Sequence, residues 1–215
     1  MGLIFDSCIW VGIATGQITP ELVIAGAGDA PVFTSVVSLG ELSFGVQSCT
    51  DPTERALRAA YLRQVESRPA LEVSKHTAAA FGVLAAAVKQ SGRSPRPRYN
   101  DLWIAAQAIE HGYALLTLNR NDFAGLPGLR CVTPYLVFDK DIYFRPENND
   151  AIVWGDVGIK RFCLIIPRKV LADKYKLQNH FDDAGAKEII QKHWQEFEQS
   201  AQAAHAAGES TLILS

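Results

Sequence analysis

The 215-residue sequence predicts an α/β fold with a mostly parallel sheet and helices on both faces, followed by a small α+β domain. Two observations predict the first part. Short apolar runs stop at capping or turn residues, and helical patterns alternate with those runs. A third predicts the second part: after about Pro134 the alternation gives way to consecutive strand patterns. The expected domains are residues 1–135 and 140–215, with the boundary between Tyr135 and Lys140.

Leu3 to Phe5 is a buried-strand pattern ending at Asp6, and a helical stretch follows from Ser7. Pro20 suits the first turn of a second helix. Pro31 to Thr34 reads as the next strand and Ser35 to Gln47 as the helix after it. Asp51 caps and Pro52 opens a further helix, which ends before Pro69. Leu71 to Val73 is a short strand. Ser74 caps an alanine-rich helix to about Gln90, closed by Gly92. Gly92 to Arg98 is expected as loop, because Pro95 and Pro97 oppose helix. Asn100 is expected to cap a helix to His111, and Ala114 to Thr117 and Leu129 to Val132 are the last strands of this part. In such sheets ligands bind at the carboxyl ends of the strands.

Beyond the boundary, Ile142 to Arg145, Ala151 to Trp154 and Phe162 to Ile166 read as successive strands of a meander. Pro167 opens a short helix. Asp182 to Ala207 reads as one long helix with Ala186, Ile190, Trp194, Phe197, Ala201 and Ala204 near one face. Thr211 to Leu214 is a closing strand. The sequence holds no internal repeat and no low-complexity segment.

Composition narrows the function classes. With 48% hydrophobic and 20% charged residues, a packed core is expected. No apolar run approaches the ~20 residues that span a bilayer. The start, Met1 to Asp6, has no basic leader, so neither export nor a membrane partner is expected. Cys8, Cys49, Cys131 and Cys163 are scattered, which argues against a zinc site or a disulfide framework and suits a reducing cytoplasm. A net charge of −2 does not by itself announce a nucleic-acid binder. The cations are unevenly distributed: nine arginines and two lysines precede residue 140, and three arginines and seven lysines follow from it. Arginine is the better bidentate phosphate ligand.

The acids sit where strands end or helices begin. Asp6 follows the first strand, Glu41 lies early in the helix after the second, and Asp101 opens the helix expected to be capped by Asn100. Asn119 and Asp122 follow the strand ending at Thr117. In adjacent parallel strands these side chains converge at one sheet edge. Convergent carboxylates repel unless a cation lies between them. All-oxygen donors without His or Cys select Mg²⁺ or Mn²⁺. Each residue also has a purely structural use. Asp6 suits a helix cap, Glu41 completes a capping box with Ser38, Asp101 complements a helix dipole, and Asp122 suits a loop. The histidines, including His76, His111 and His193, show no metal spacing. Arg93, Arg96 and Arg98, on the proline-stiffened loop before Asp101, are candidates for phosphate contacts.

Taken together, Leu3 to Trp10, Ser35 to Leu42 and Asn100 to Ala108 resemble the three signature blocks of PIN-domain toxins of the VapC type, from type II toxin–antitoxin systems. Leu115 to Phe123 resembles the fourth block, and the match runs from residue 1 to about 134. The resemblance implies a three-layer α/β/α sandwich and Mg²⁺- or Mn²⁺-dependent cleavage of RNA. Asp6, Glu41 and Asp101 match the family's acidic core, Asn119 takes its variable fourth position, and Asp122 is ancillary. It also implies a cognate antitoxin that fills the acidic cleft, and a homodimer. The expected chemistry is hydrolysis by a water that the metal activates. Asp6 and Asp101 hold the ion, and Glu41 holds a second ion or positions the water. Residues from about 140 to 215 resemble a small bacterial α+β family known only as a domain of unknown function, and such an extension departs from the toxins. Two alternatives remain: a non-catalytic PIN-like module that binds RNA or protein, and another Mg²⁺ phosphotransfer enzyme acting on a small phosphoester.

Overall fold

A computed structural model describes residues 2–178 and 182–215. The chain divides into two compact units, Met1–Pro134 and Tyr135–Ser215. Leu136 already belongs to the core of the second unit.

The first unit alternates strands and helices: β1 (Leu3–Phe5), α1 (Ser7–Ala14), α2 (Pro20–Ala27), β2 (Val32–Ser35), α3 (Val36–Gln47), α4 (Pro52–Glu66), β3 (Ala70–Leu71), α5 (Lys75–Gln90), α6 (Tyr99–His111), β4 (Ala114–Leu116) and β5 (Arg130–Val132). The strands form a parallel sheet in the order β3-β2-β1-β4-β5. β1 and β4 are buried throughout, because helices cover both faces of the sheet. Alternation along β1 sends Ile4 to one face, into a cluster with Leu84 and Val88 of α5 and Leu102 and Ala105 of α6. Phe5 faces the other way and packs its ring 5.0 Å from Trp10 of α1. This is the α/β/α sandwich of the sequence reading.

Several helix starts follow local chemistry. Asp51 Oδ1 accepts the Glu54 N–H at 2.7 Å, with Pro52 in the first turn of α4. Ser74 and Thr77 close a reciprocal capping box on α5. Gly112 ends α6 at φ 63°, a left-handed position that suits glycine.

Three local expectations are corrected. α3 is capped by Ser35, whose Oγ accepts the Val37 N–H at 3.0 Å, so Ser38 lies inside the helix and makes no box with Glu41. The loop before α6 tightens into a 3-10 turn over Arg96–Arg98, whose short hydrogen-bond span tolerates Pro97. α6 starts at Tyr99 without a side-chain cap, so Asn100 lies inside its first turn, where its Nδ2 donates to Glu41.

The second unit carries β6 (Val137–Phe144), β7 (Ala151–Val157), β8 (Lys160–Ile166), α7 (Arg168–Asp173), α8 (Asp183–Lys192), α9 (Trp194–Ala206) and β9 (Thr211–Ile213). β6, β7 and β8 are antiparallel, and β9 joins β8 in parallel. Val153, Leu164 and Ile166 from the sheet share a core with Ile190 of α8 and Phe197 of α9. β6 starts five residues earlier than the Ile142 expected, since Asp139 to Asp141 interrupts the apolar pattern while the backbone still pairs with β7 across an irregular register. The single long helix expected from Asp182 to Ala207 is two helices, broken at His193 (φ −104°, ψ 18°), whose ring packs 4.7 Å from Tyr175. Among the described residues no helix is long and apolar enough to cross a membrane.

Candidate active site

The strand order creates a switch point between β1 and β4. The chain leaves β1 towards β2 and β3 and returns on the opposite side at β4. Asp6 and Thr117 are the residues that leave these two central strands, at the sheet's carboxyl edge.

Asp6 has extended backbone and caps α1, its Oδ1 accepting the Ser7 N–H at 2.7 Å. Its Oδ2 accepts from Thr117 Oγ1 at 2.6 Å and from Cys8 Sγ at 3.1 Å. Only 5% of the residue is exposed. Burial pushes the Asp6 carboxyl above the ordinary carboxylate range, and the charge of Glu41 adds to that, against the hydrogen bonds from Thr117, Cys8 and Ser7. Burial, and then the charge of Asp6, push the Cys8 thiol up to about 12, so it stays protonated and serves as a donor.

Glu41 is held at both carboxylate oxygens. Ser7 Oγ donates to Oε2, and Asn100 Nδ2 donates to Oε1 at 2.8 Å. Ser38, expected to share a box with it, is buried and its hydroxyl has no hydrogen-bond partner among the described residues.

Asp101, in the first turn of α6, is pushed up to about 6. Burial is the first cause, followed by the charges of Asp6, Glu41 and Asp122, with Arg98 opposing. Asp122 lies in a 3-10 turn, Arg120–Phe123, and pairs with Arg98 Nη1 at 2.8 Å. The Asp122 carbonyl accepts from the same nitrogen at 3.0 Å.

The structure therefore brings Asp6, Glu41 and Asp122 within electrostatic reach of Asp101, and Glu41 within reach of Asp6. Asn119 enters through its backbone, donating to Thr117 Oγ1 at 3.0 Å, while the residue as a whole is exposed. The three arginines differ. Arg98 is engaged with Asp122, Arg93 donates to Ser91 Oγ at 3.1 Å and to the Ala124 carbonyl at 3.3 Å, and Arg96 is exposed. Sequence reasoning missed Ser7, Cys8, Asn100 and Thr117, which hold the acids. One signal was available for Thr117: a polar residue directly after the apolar run Ala114 to Leu116.

A cation between these groups would meet oxygen donors, the preference of Mg²⁺ and Mn²⁺. Among the described residues no three His, Cys, Asp or Glu side chains close to a shared metal-ligand geometry. Asp122 is paired with Arg98, which leaves Asp6, Glu41 and Asp101 as the acids open to a cation or to its waters. That donor set fits a hard ion that keeps most of its waters, as Mg²⁺ does.

A family model described as the PIN domain matches residues 3–129. The chain belongs to the PIN-domain family. It is homologous to the VapC ribonucleases. Ribonuclease VapC5 of Mycobacterium tuberculosis is 33% identical over 129 residues, covering 60% of this chain and 90% of that protein. Ribonuclease VapC4 of the same organism is 30% identical over 128 residues, covering 60% and 93%. Among solved structures, the toxin–antitoxin complex VapBC-5 from M. tuberculosis matches with a TM-score of 0.50 and 26% identity, over 62% of this chain and 99% of that one. VapBC2 of Rickettsia felis, bound to a promoter DNA fragment, shares the fold with a TM-score of 0.52 and 23% identity, over 62% and 98%. The acid cluster lies wholly within the residues matched to the PIN domain, and the second unit lies outside them.

Proposed function

We propose that this PIN-domain protein is a Mg²⁺- or Mn²⁺-dependent endoribonuclease. It hydrolyses RNA phosphodiester bonds in the cytoplasm and is the toxin half of a pair whose antitoxin protein neutralises it. The observation that carries the reading is the meeting of Asp6, Glu41, Asp101 and Asp122 at the carboxyl edge of the sheet, with Asp101 pushed up to about 6. Such crowding of acids costs stability without a cation to share. The relatives' names support RNA as substrate, and the solved VapBC toxin–antitoxin complexes support the partner.

When bound, a divalent cation neutralises phosphodiester charge and acidifies a water. Asp6 and Asp101 are the carboxylates to hold it. Thr117 and Cys8 fix the Asp6 carboxylate, so little side-chain freedom is lost when it binds. Glu41, clamped by Ser7 and Asn100, keeps a lone pair on each oxygen and orients the attacking water as proton acceptor. Arg96 and Arg93, on the segment that leads into α6, supply phosphate contacts. Hydrolysis of this kind does not use the RNA 2′-hydroxyl, so selectivity for RNA comes from shape and contacts.

One observation favours the alternative, a non-catalytic PIN-like module: no three acids form a closed ligand set among the described residues. The test is incubation of purified, antitoxin-free protein with total RNA, in Mn²⁺ and in chelator, followed by mapping of the cut ends. Cleavage is expected in Mn²⁺ alone and is expected to be lost in Asp6→Asn and Asp101→Asn. RNA that stays intact under every metal condition would remove the enzyme reading and leave the binding module.

A further inference from the structure

Arg98 pairs with one acid of the cluster and acts on another, Asp101, and its position is specific. It sits three residues before Asp101, and its side chain is only 28% exposed. One guanidinium nitrogen, Nη1, holds both the carboxylate of Asp122 at 2.8 Å and the Asp122 carbonyl at 3.0 Å. A solvated phosphate-binding arginine would not need that second, backbone contact. The pair ties the turn Arg120–Phe123 to the start of α6, and the Arg98 charge opposes the pull of the surrounding acids on Asp101.

We propose that Arg98 is a positioning residue of the acidic site, an internal counter-charge that withholds Asp122 from the cation and sets how tightly the site takes one. This rests on the metal-site reading above. It accounts for a cluster of four acids in which Asp122 alone is held by an arginine. With Arg98 in place, an ion of charge +2 meets a field weakened by one positive charge and an acid that is already paired. Without it, Asp122 is released and the site becomes more negative by one unit of charge, which attracts the ion more strongly. The protein thereby gives up affinity for the resting ion and keeps a site that can be emptied.

The experiment is Mn²⁺ binding to the metal-free full chain by titration calorimetry, with the Mn²⁺-induced rise in melting temperature as a second readout. Arg98→Gln is expected to tighten Mn²⁺ binding about fivefold, the effect of one charge at short range in a partly solvated site. Arg98→Lys, which keeps the charge, is expected to stay within about twofold of the parent. Arg98→Gln combined with Asp122→Asn is expected to return to the parent affinity. A merely structural role for Arg98 has the opposite sign: the turn loosens and Arg98→Gln binds Mn²⁺ more weakly. Unchanged or weaker binding in Arg98→Gln, or a gain that persists in the double variant, overturns the inference. Absence of Mn²⁺ binding by the parent protein overturns the metal-site reading itself, and this inference with it.

Discussion

Asp101, beside the more deeply buried Asp6, is a residue through which the metal-free protein feels pH. Its carboxyl is pushed from an ordinary value of 3.8 up to about 6, by burial first and by Asp6, Glu41 and Asp122 after it. The folded state therefore binds a proton more tightly than the unfolded state does. That contribution to stability is fully present below pH 3.8 and is lost as pH rises through about 6. At neutral pH the ionised Asp101 is a burden, and Asp101→Asn removes it. The expected outcome in urea unfolding of metal-free protein at pH 7 is a gain of about 1–2 kcal/mol, after allowing for solvent screening. The slope of stability between pH 4 and 6 should flatten in the same variant. An equal or lower unfolding midpoint for Asp101→Asn would contradict the electrostatic account. None of this was visible residue by residue, because a lone Asp in a first helical turn is also what a helix dipole favours.

At the scale of elements, the site is a junction between the ends of β1 and β4 and the starts of α1 and α6, and Thr117 is its central link. The residue is buried, donates to Asp6 and accepts from the Asn119 backbone. Thr117→Val keeps the shape, removes the acceptor of the Asn119 N–H and takes one of three donors from Asp6, so it is expected to cost about 1–3 kcal/mol in denaturant unfolding. Cleavage is expected to fall about 10–100-fold, as for other groups that orient a metal ligand. A variant with full stability and full activity would show that Asp6 needs no brace. The existence of these elements was legible, because caps and periodicity are local: Asp51, Pro52 and Ser74 mark helix starts that the structure keeps. Their ends were less so. Asn100 looked like a cap and is instead a donor to Glu41, and Ser38 fitted a capping-box spacing that Ser35 pre-empts. In both cases a tertiary partner, or a neighbour one turn earlier, outcompeted the pattern that spacing alone suggests.

For the whole molecule, each unit has its own hydrophobic cluster, one around Ile4, Leu84 and Leu115 and the other around Val153, Leu164 and Phe197. A fragment comprising residues 1–134 is therefore expected to fold cooperatively and to give the same Mn²⁺ titration as the full chain, measured by circular dichroism melting and calorimetry. A fragment without a cooperative transition would mean that the second unit completes the first. By itself, the sequence determined the alternation of strands and helices, the parallel sheet, the change of pattern near Pro134 and the acids that face the strand ends. Those features follow from periodicity, capping and turn chemistry, which act over a few residues. Only the tertiary structure decided which polar groups hold the acids. Ser7 and Asn100 on Glu41, Thr117 on Asp6 and Arg98 on Asp122 span separations from 24 to 111 residues. Contacts that distant depend on strand order, which hydrogen-bond chemistry along the chain does not encode.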